Sequence, residues 1–244
     1  DTPGLLARSV EDLAIAFAAL DAETPGAGGL RRLASGMAGV RIGVPGGLLF
    51  QDRDPGIVET VEAALKDLER AGATLVACEV PGTVEAFDML RAGSVQAPEL
   101  YEFLSTTLPD WLGTLGPNVQ ARVHSGQDMS AVEYLRRRRV LAGLAREAAT
   151  VFDGVDLVAA PTVAITPPRI DEVADAETYR ARNMAALRNT AVANMLGLCA
   201  LTLPVGRDAL DMPVGLQLIG APFAERALLD LGRRAEAVLG NRLG

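Results

Sequence analysis

Lysine and histidine are almost absent from this sequence of 244 residues, in which Lys66 is the one lysine and His124 the one histidine. Cysteine is nearly as rare, with Cys78 and Cys199 far apart in the chain. Two cysteines cannot form the disulfide framework of a small secreted protein. One histidine and two distant cysteines cannot supply the usual ligands of a zinc site. We therefore expect no metal site and no cofactor, and we interpret both cysteines as small core residues.

Long apolar runs and an excess of positive charge are also missing. No run reaches the roughly 18 apolar residues that a membrane-spanning helix needs, and the first residues lack the basic and apolar regions of a signal peptide. The chain carries 31 acidic and 23 basic side chains, which gives a net charge of −8. This acidic balance argues against binding to nucleic acid or to an anionic membrane. We expect a cytoplasmic globular protein without membrane or direct nucleic-acid contacts.

The common sequence motifs of enzymes are absent as well. No serine lies in a G-x-S-x-G motif, since Ser35 and Ser125 both lack the upstream glycine. There is no Walker A motif, and the glycine-rich residues 26–29 do not match a dinucleotide-binding loop. A catalytic triad would have to use His124, which has no nucleophile motif nearby and is interpreted as a surface or hydrogen-bonded histidine. These patterns alone identify no catalytic residue.

Helix and strand patterns alternate along the chain. Capping-box spacing predicts the start of two helices, at Ser9 with Asp12 and at Ser130 with Glu133. Asp54 is predicted to cap another helix, with Pro55 as its first residue. Short, nearly all-apolar runs predict strands at residues 40–45, 74–80, 155–160, 200–205 and 214–219. This alternation, without repeats or a clear linker, predicts an α/β fold with a mixed, largely buried β-sheet flanked by helices.

Three segments carry recognisable motifs in a fixed order along the chain. The first spans residues 1–12 and reads DTPGLLARSVED, with Leu5 where a proline is usual. The second spans residues 152–162 and reads FDGVDLVAAPT. The third spans residues 194–220 and contains NMLGLCALTLPVG followed by MPVGLQLIG, with Cys199 replacing a common proline. Together these segments resemble the amidase signature family of serine hydrolases.

The resemblance implies an enzyme that hydrolyses the linear amide bond of a small molecule. In this family a lysine activates a serine through a second serine, and the activated serine forms an acyl-enzyme. Backbone N–H groups of a loop rich in glycine and serine hold the oxyanion. These elements precede the segment that begins here at residue 1, and no catalytic role passes to Lys66. We therefore expect residues 1–244 to be the C-terminal portion of a single amidase-like domain, incomplete without an N-terminal half.

The same resemblance suggests where a substrate would bind. Thr162, just past a predicted strand, and Asn194, just before another, are the expected substrate-binding residues, because loops after strands often line sites in such sheets. Either residue has a second interpretation as a capping or turn residue. Gly206 and Gly215 are expected in turns that bound two strands, and Pro204 at the end of a strand.

Two other functions stay open at this stage. The chain also resembles the amidotransferase subunit that feeds ammonia to a tRNA-linked amino acid, and that function would require partner chains. A catalytically silent α/β binding or scaffold protein would keep the fold and lose the chemistry. A missing half would leave a sheet edge and apolar surface uncovered, so we expect the isolated chain to be marginally stable and to self-associate, for example as a homodimer.

Overall fold

The computed structural model describes residues 2–21, 36–51, 53–93 and 95–240. The strands are β1 (Arg41–Pro45), β2 (Thr74–Cys78), β3 (Leu157–Pro161), β4 (Cys199–Arg207) and β5 (Pro213–Gly220). The helices are α1 (Val10–Leu20), α2 (Ile57–Arg70), α3 (Thr83–Arg91), α4 (Gln96–Thr106), α5 (Pro109–Leu112), α6 (Pro117–His124), α7 (Ala131–Ala149), α8 (Ala176–Met195) and α9 (Glu225–Leu239). None of these described helices is long and apolar enough to cross a membrane.

The five strands form one mixed sheet in the order β2-β1-β3-β5-β4. Strand β1 runs parallel to both β2 and β3, whereas β5 is antiparallel to β3 and β4. All five residues of β3 are buried, as expected for a central strand that is covered on both faces. The predicted mixed α/β fold with a largely buried sheet is therefore confirmed.

Helices pack on both faces of the sheet and divide the core into two apolar clusters. The cluster on one face joins α2 and α9 to the sheet and includes Leu68, Leu216 and Leu228. The cluster on the other face joins α7 and α8 to the sheet and includes Val158 and Val192. The sheet is therefore the middle layer of three, and its strand ends are where loops from both sides meet.

Both capping boxes predicted from the sequence start a helix in the structure. The Ser9 hydroxyl accepts a hydrogen bond from the Asp12 backbone N–H, and the Ser130 hydroxyl accepts one from the Glu133 N–H. Each bond satisfies an N–H group that the first helical turn leaves without a partner. These two predictions are confirmed.

The predicted start of α2 is wrong. The helix begins at Ile57 after Gly56, which adopts a left-handed conformation with φ of 89°. A Cβ atom at residue 56 would lie 2.4 Å from the Ala209 backbone nitrogen, so a glycine is required there. Asp54 does not cap the helix because its carboxylate is engaged in tertiary contacts: Oδ2 accepts hydrogen bonds from the Thr166 N–H and from Arg182.

The predicted positions of three residues near the chain's end also need correction. Pro204 and Gly206 lie inside β4 and Gly215 lies inside β5, not in bounding turns or at a strand end. The register shifts between Pro204 and Gly206, where φ of Gly206 is 145°, so this glycine serves a β-bulge. Pro204 is tolerated within the strand because β4 is the outermost strand at this side of the described sheet.

Candidate functional site

A groove of about 270 Å³ lies where the carboxyl end of β3 meets β4, β5 and the start of α2. Its walls are mostly apolar, and its polar groups come from two threonines and one aspartate. Among the residues that line it are Thr162, Val163, Thr202, Pro204, Asp208 and Gly215. An apolar groove with a few convergent polar groups is the usual form of a small-molecule site.

Thr162 and Thr202 meet in this groove across β5. The Thr162 backbone N–H donates to the Gly215 carbonyl oxygen at 2.9 Å, which continues the pairing of β3 with β5 by one residue. The Thr162 hydroxyl donates to the Thr202 hydroxyl oxygen at 3.2 Å. A Cβ atom at residue 215 would lie 2.7 Å from Thr162 Oγ1 and 2.8 Å from Thr202 Cγ2. Gly215 is therefore the residue that allows the two threonines to touch.

A polar cluster behind the groove fixes the loop that follows Thr162. Asp54 accepts the Thr166 N–H at 2.9 Å and an Arg182 N–H at 3.2 Å. The same arginine donates to the Thr166 carbonyl oxygen at 3.2 Å, and the Thr166 hydroxyl donates to Asp208 at 2.5 Å. Thr166 is buried. Its hydrogen bonds connect its own loop to the segments of Asp54, Arg182 and Asp208 around the groove. In the sequence, the only sign of this cluster was the Asp-Pro pair at residues 54–55, and it was interpreted as the start of a helix.

Asp208 is the charged residue that lines the groove. Burial acts to raise the pKa of its carboxyl, but hydrogen bonds from the Thr166 hydroxyl and from two backbone N–H groups, of Met212 and Leu210, outweigh burial and lower that pKa. The carboxylate is therefore ionised at neutral pH. It orders the turn between β4 and β5 and gives the groove a negative rim.

Two buried amide side chains, Asn189 and Gln217, belong to the same end of the sheet and were missed by the sequence analysis. Asn189 on α8 donates to the carbonyl oxygens of Leu49 and Pro161, at 2.9 and 2.6 Å. It thereby ties α8 to the last residue of β3, next to Thr162. Gln217 on β5 is 2% exposed, and no described donor reaches its Oε1 atom. Such an unpaired buried acceptor destabilises a fold by about 1–3 kcal/mol.

The two predicted substrate-binding residues are placed apart. Thr162 lines the groove, and its role in binding stays a prediction. Asn194 lies near the end of α8, where its Oδ1 atom accepts a hydrogen bond from the Thr2 hydroxyl at 3.1 Å, and it does not line the groove. Its role in binding also stays a prediction. Lys66 lies on the exposed face of α2.

The histidine has local structural partners, and both cysteines are half-buried against the apolar clusters of the core. His124 Nδ1 lies 2.8 Å from the Gln120 carbonyl oxygen, and the His124 ring packs on Tyr101, as expected for a hydrogen-bonded histidine. Burial raises the pKa of the Cys78 thiol and that of the Cys199 thiol. Within the described ranges, no group of three histidine, cysteine, aspartate or glutamate side chains could hold a metal ion.

Comparison with known proteins places this chain in a family. The model of the Amidase family matches residues 1–229. The chain belongs to the amidase signature family. A solved amidase structure superimposes on it with a TM-score of 0.73 at 26% identity, covering 96% of the chain and 52% of that structure. The family and the fold implied by the three sequence segments are thus confirmed.

Two curated relatives of the chain carry names of different activities, a deaminase and an amidotransferase subunit. The chain is 46% identical over 240 residues to 2-amino-5-chloromuconic acid deaminase of Comamonas testosteroni, and the match covers 98% of the chain and 52% of that relative. It is 31% identical over 220 residues to a glutamyl-tRNA(Gln) amidotransferase subunit of Symbiobacterium thermophilum, covering 80% of the chain and 44% of that relative. The chain therefore spans about half the length of the curated relatives it matches.

Proposed function

We propose that this chain is part of an amidase-type hydrolase that cleaves the carbon–nitrogen bond of a small amide. The observation that carries the proposal is the 46% identity with a deaminase along 98% of the chain. The groove beside Thr162 supports it, because it offers apolar walls and hydroxyl groups of the kind that bind a small amide. No cofactor is needed for hydrolysis by an activated serine.

We also propose that the catalytic serines and lysine belong to the half of the enzyme that this chain does not span. An exposed apolar surface on and beside α1 supports this proposal. Leu6 is 103% exposed and Leu20 is 70% exposed, although α1 is held to α9 by the ion pairs Glu11–Arg233 and Asp21–Arg226. Apolar patches of this kind mark surfaces that pack against another part of a protein. We use the term α1 surface for the exposed apolar side chains of α1 and of the two segments beside it, the residues before α1 and those before α9: Leu5, Leu6, Ile15, Leu20 and Phe223.

Strand β4 supports the same proposal. Its burial alternates along the strand, with Leu201, Leu203 and Val205 buried on one side, whereas Ala200 on the opposite side of the strand is exposed. In the described sheet, no strand pairs with the outer edge of β4. An uncovered edge and an uncovered face are what a missing neighbour would leave.

The test compares the 244-residue chain with the longer polypeptide that this proposal requires, which we call the intact reading-frame product. Ammonia release is measured on 2-amino-5-chloromuconic acid and on a panel of primary amides, and a fluorophosphonate labels any activated serine. We expect release and labelling with the intact product and neither with the chain alone. Labelling of any serine within residues 1–244, or ammonia release by the chain alone, would contradict the proposal that the nucleophile lies elsewhere.

The amidotransferase alternative is favoured by the 31% identity with the amidotransferase relative. That function predicts ammonia release that depends on glutamine and on added partner chains with aminoacyl-tRNA. Hydrolysis of simple amides without partners would reject it. An intact product that neither releases ammonia nor takes up the label under either condition would instead indicate a catalytically silent protein.

A further inference from the structure

The hydroxyl groups of Thr162 and Thr202 form a pair with a defined division of roles. Each threonine hydroxyl has one proton and can accept hydrogen bonds. Thr162 uses its proton on Thr202, at an Oγ1–Oγ1 distance of 3.2 Å. Towards the groove, Thr162 is thus an acceptor, whereas Thr202 keeps its own proton and is a donor. With the internal bond reversed, the pair would present the same two functions in exchanged positions.

We propose that this pair is a subsite for the edge of an amide that presents an N–H group and a carbonyl oxygen side by side. The inference rests on the proposed amidase function and specifies its substrate class as primary amides and lactams. The amide N–H donates to Thr162 Oγ1, and the amide oxygen accepts from the Thr202 hydroxyl. In a planar amide these two atoms are about 2.3 Å apart, so two hydroxyl oxygens 3.2 Å apart can reach both.

The geometry of amides makes this subsite selective. Primary amides and small lactams carry an N–H on the same side as the carbonyl oxygen. An open-chain secondary amide is trans and carries them on opposite sides, so it can satisfy one threonine but not both. A carboxylate has acceptors alone and leaves Thr162 without a donor, and it is also repelled by the ionised Asp208 on the rim. The subsite thus distinguishes the amide from its hydrolysis product.

The subsite is tested by the binding of four probes: benzamide, δ-valerolactam, N-methylbenzamide and benzoate. Each probe is added to the 244-residue chain and to the intact reading-frame product. Dissociation constants are measured from NMR shifts of the Thr162 and Thr202 methyl groups. We expect benzamide and the lactam to bind about tenfold more tightly than N-methylbenzamide, the difference that one hydrogen bond makes. Equal affinity for all four probes, or shifts at neither methyl group, would overturn the proposal.

Matched variants separate a hydrogen-bonding role from a structural one. Thr202→Val keeps the shape and removes the hydroxyl, so benzamide binding is expected to weaken about tenfold while N-methylbenzamide binding stays the same. Thr202→Ser is expected to restore benzamide binding. Thr150→Val is the control, because this hydroxyl bonds to the Glu147 carbonyl oxygen at the end of α7, away from the groove. Equal weakening of both probes in Thr202→Val, or no rescue by serine, would show that Thr202 is merely structural.

The outcome of these binding experiments is separable from that of the proposed function. Selective binding of benzamide without ammonia release by the intact product would retain the amide subsite and reject the hydrolase. Ammonia release from primary amides without any effect of Thr202→Val on binding or on KM would retain the hydrolase and reject the subsite. Loss of kcat alone, with KM and probe binding unchanged, would likewise reject a binding role for the pair.

Discussion

Two buried amide side chains at the same end of the sheet have opposite hydrogen-bonding states. Asn189 donates to the Leu49 and Pro161 carbonyl oxygens and accepts from Arg188 at 3.2 Å. Gln217 is equally buried, but its Oε1 atom has no donor within the described residues. The energetic value of a buried amide depends on whether its partners lose their bonds when it is removed. These two residues therefore give opposite predictions for the same kind of substitution.

We expect Asn189→Leu to lower the free energy of unfolding by about 2–4 kcal/mol, because two buried carbonyl oxygens lose their donor. Gln217→Met should change it by less than about 1 kcal/mol or raise it, since the unpaired oxygen disappears. Urea unfolding of both variants measures the difference. A loss for Gln217→Met as large as that for Asn189→Leu would mean that Gln217 has a bound partner, such as an ordered water.

Glycine-to-alanine substitutions at two positions should have effects of opposite sign. At residue 215 a Cβ would press on Thr162 and Thr202, so we expect Gly215→Ala to lower the free energy of unfolding by about 1–3 kcal/mol. Gly143 lies inside α7, where a Cβ would meet nothing within 4 Å. Gly143→Ala is therefore expected to raise it by about 0.5–1 kcal/mol. Thermal unfolding gives the sign of each change, and stabilisation by Gly215→Ala would contradict the contact geometry of the groove.

At the scale of whole elements, the sequence was most informative where a helix or strand depends on its own residues. The cap of α7 depends on Ser130 and Glu133, three residues apart, and the prediction from spacing was confirmed. The start of α2 depends on Ala209 and Thr166, more than a hundred residues away, and the prediction was wrong. Spacing along the chain cannot show that a carboxylate has been recruited by a distant partner.

In the candidate site too, features that depend on neighbouring residues could be predicted, whereas features that depend on distant residues could not. The strand before Thr162 could be predicted from an apolar run, and in the structure Thr162 lines the groove, whereas its role in binding stays a prediction. Thr202 and Gly215 could not be joined to it, because their meeting depends on the antiparallel register of β5 with both β3 and β4. A mixed sheet permits several strand orders with the same apolar runs. Asn194 was predicted to bind substrate; it lies at the end of α8 against Thr2, outside the groove, and its role in binding stays a prediction.

Helix α7 offers an element-scale test through pH. Glu133 in its first turn accepts hydrogen bonds from Arg136 and Arg137, which lower its pKa to about 2. Because this pKa is below the ordinary value of a glutamate, the ionised side chain stabilises the folded chain above that ordinary value, and this contribution fades as the pH falls. We expect Glu133→Gln to lower the melting temperature at pH 7 and the gap to narrow below about pH 5. Glu147→Gln on the same helix is the control, and a gap that widens in acid would contradict the assignment.

At the scale of the whole molecule, the α1 surface is the feature on which the proposal of a missing half depends. Leu6 and Phe223 are almost fully exposed, so these two side chains add little to the stability of the described fold, and we expect them to favour self-association of the isolated chain. Phe223 is the extreme case, since it is 95% exposed and has a φ of 59°. A bulky residue rarely adopts this left-handed conformation unless something holds it there. Within the described residues, no contact explains why a phenylalanine stands at that position.

The substitution Phe223→Asn tests this interpretation, because asparagine tolerates the left-handed conformation and removes the exposed ring. In the 244-residue chain we expect an equal or slightly higher melting temperature, less binding of a hydrophobic dye and less self-association by light scattering. In the intact reading-frame product we expect the reverse: a lower melting temperature and lower ammonia release, since the ring would there be packed against the other half. Val132→Ser removes a side chain that is 78% exposed on α7 and should leave the intact product unchanged. If Phe223→Asn left the intact product as active and as stable as Val132→Ser does, the α1 surface would not be the place where the proposed other half packs.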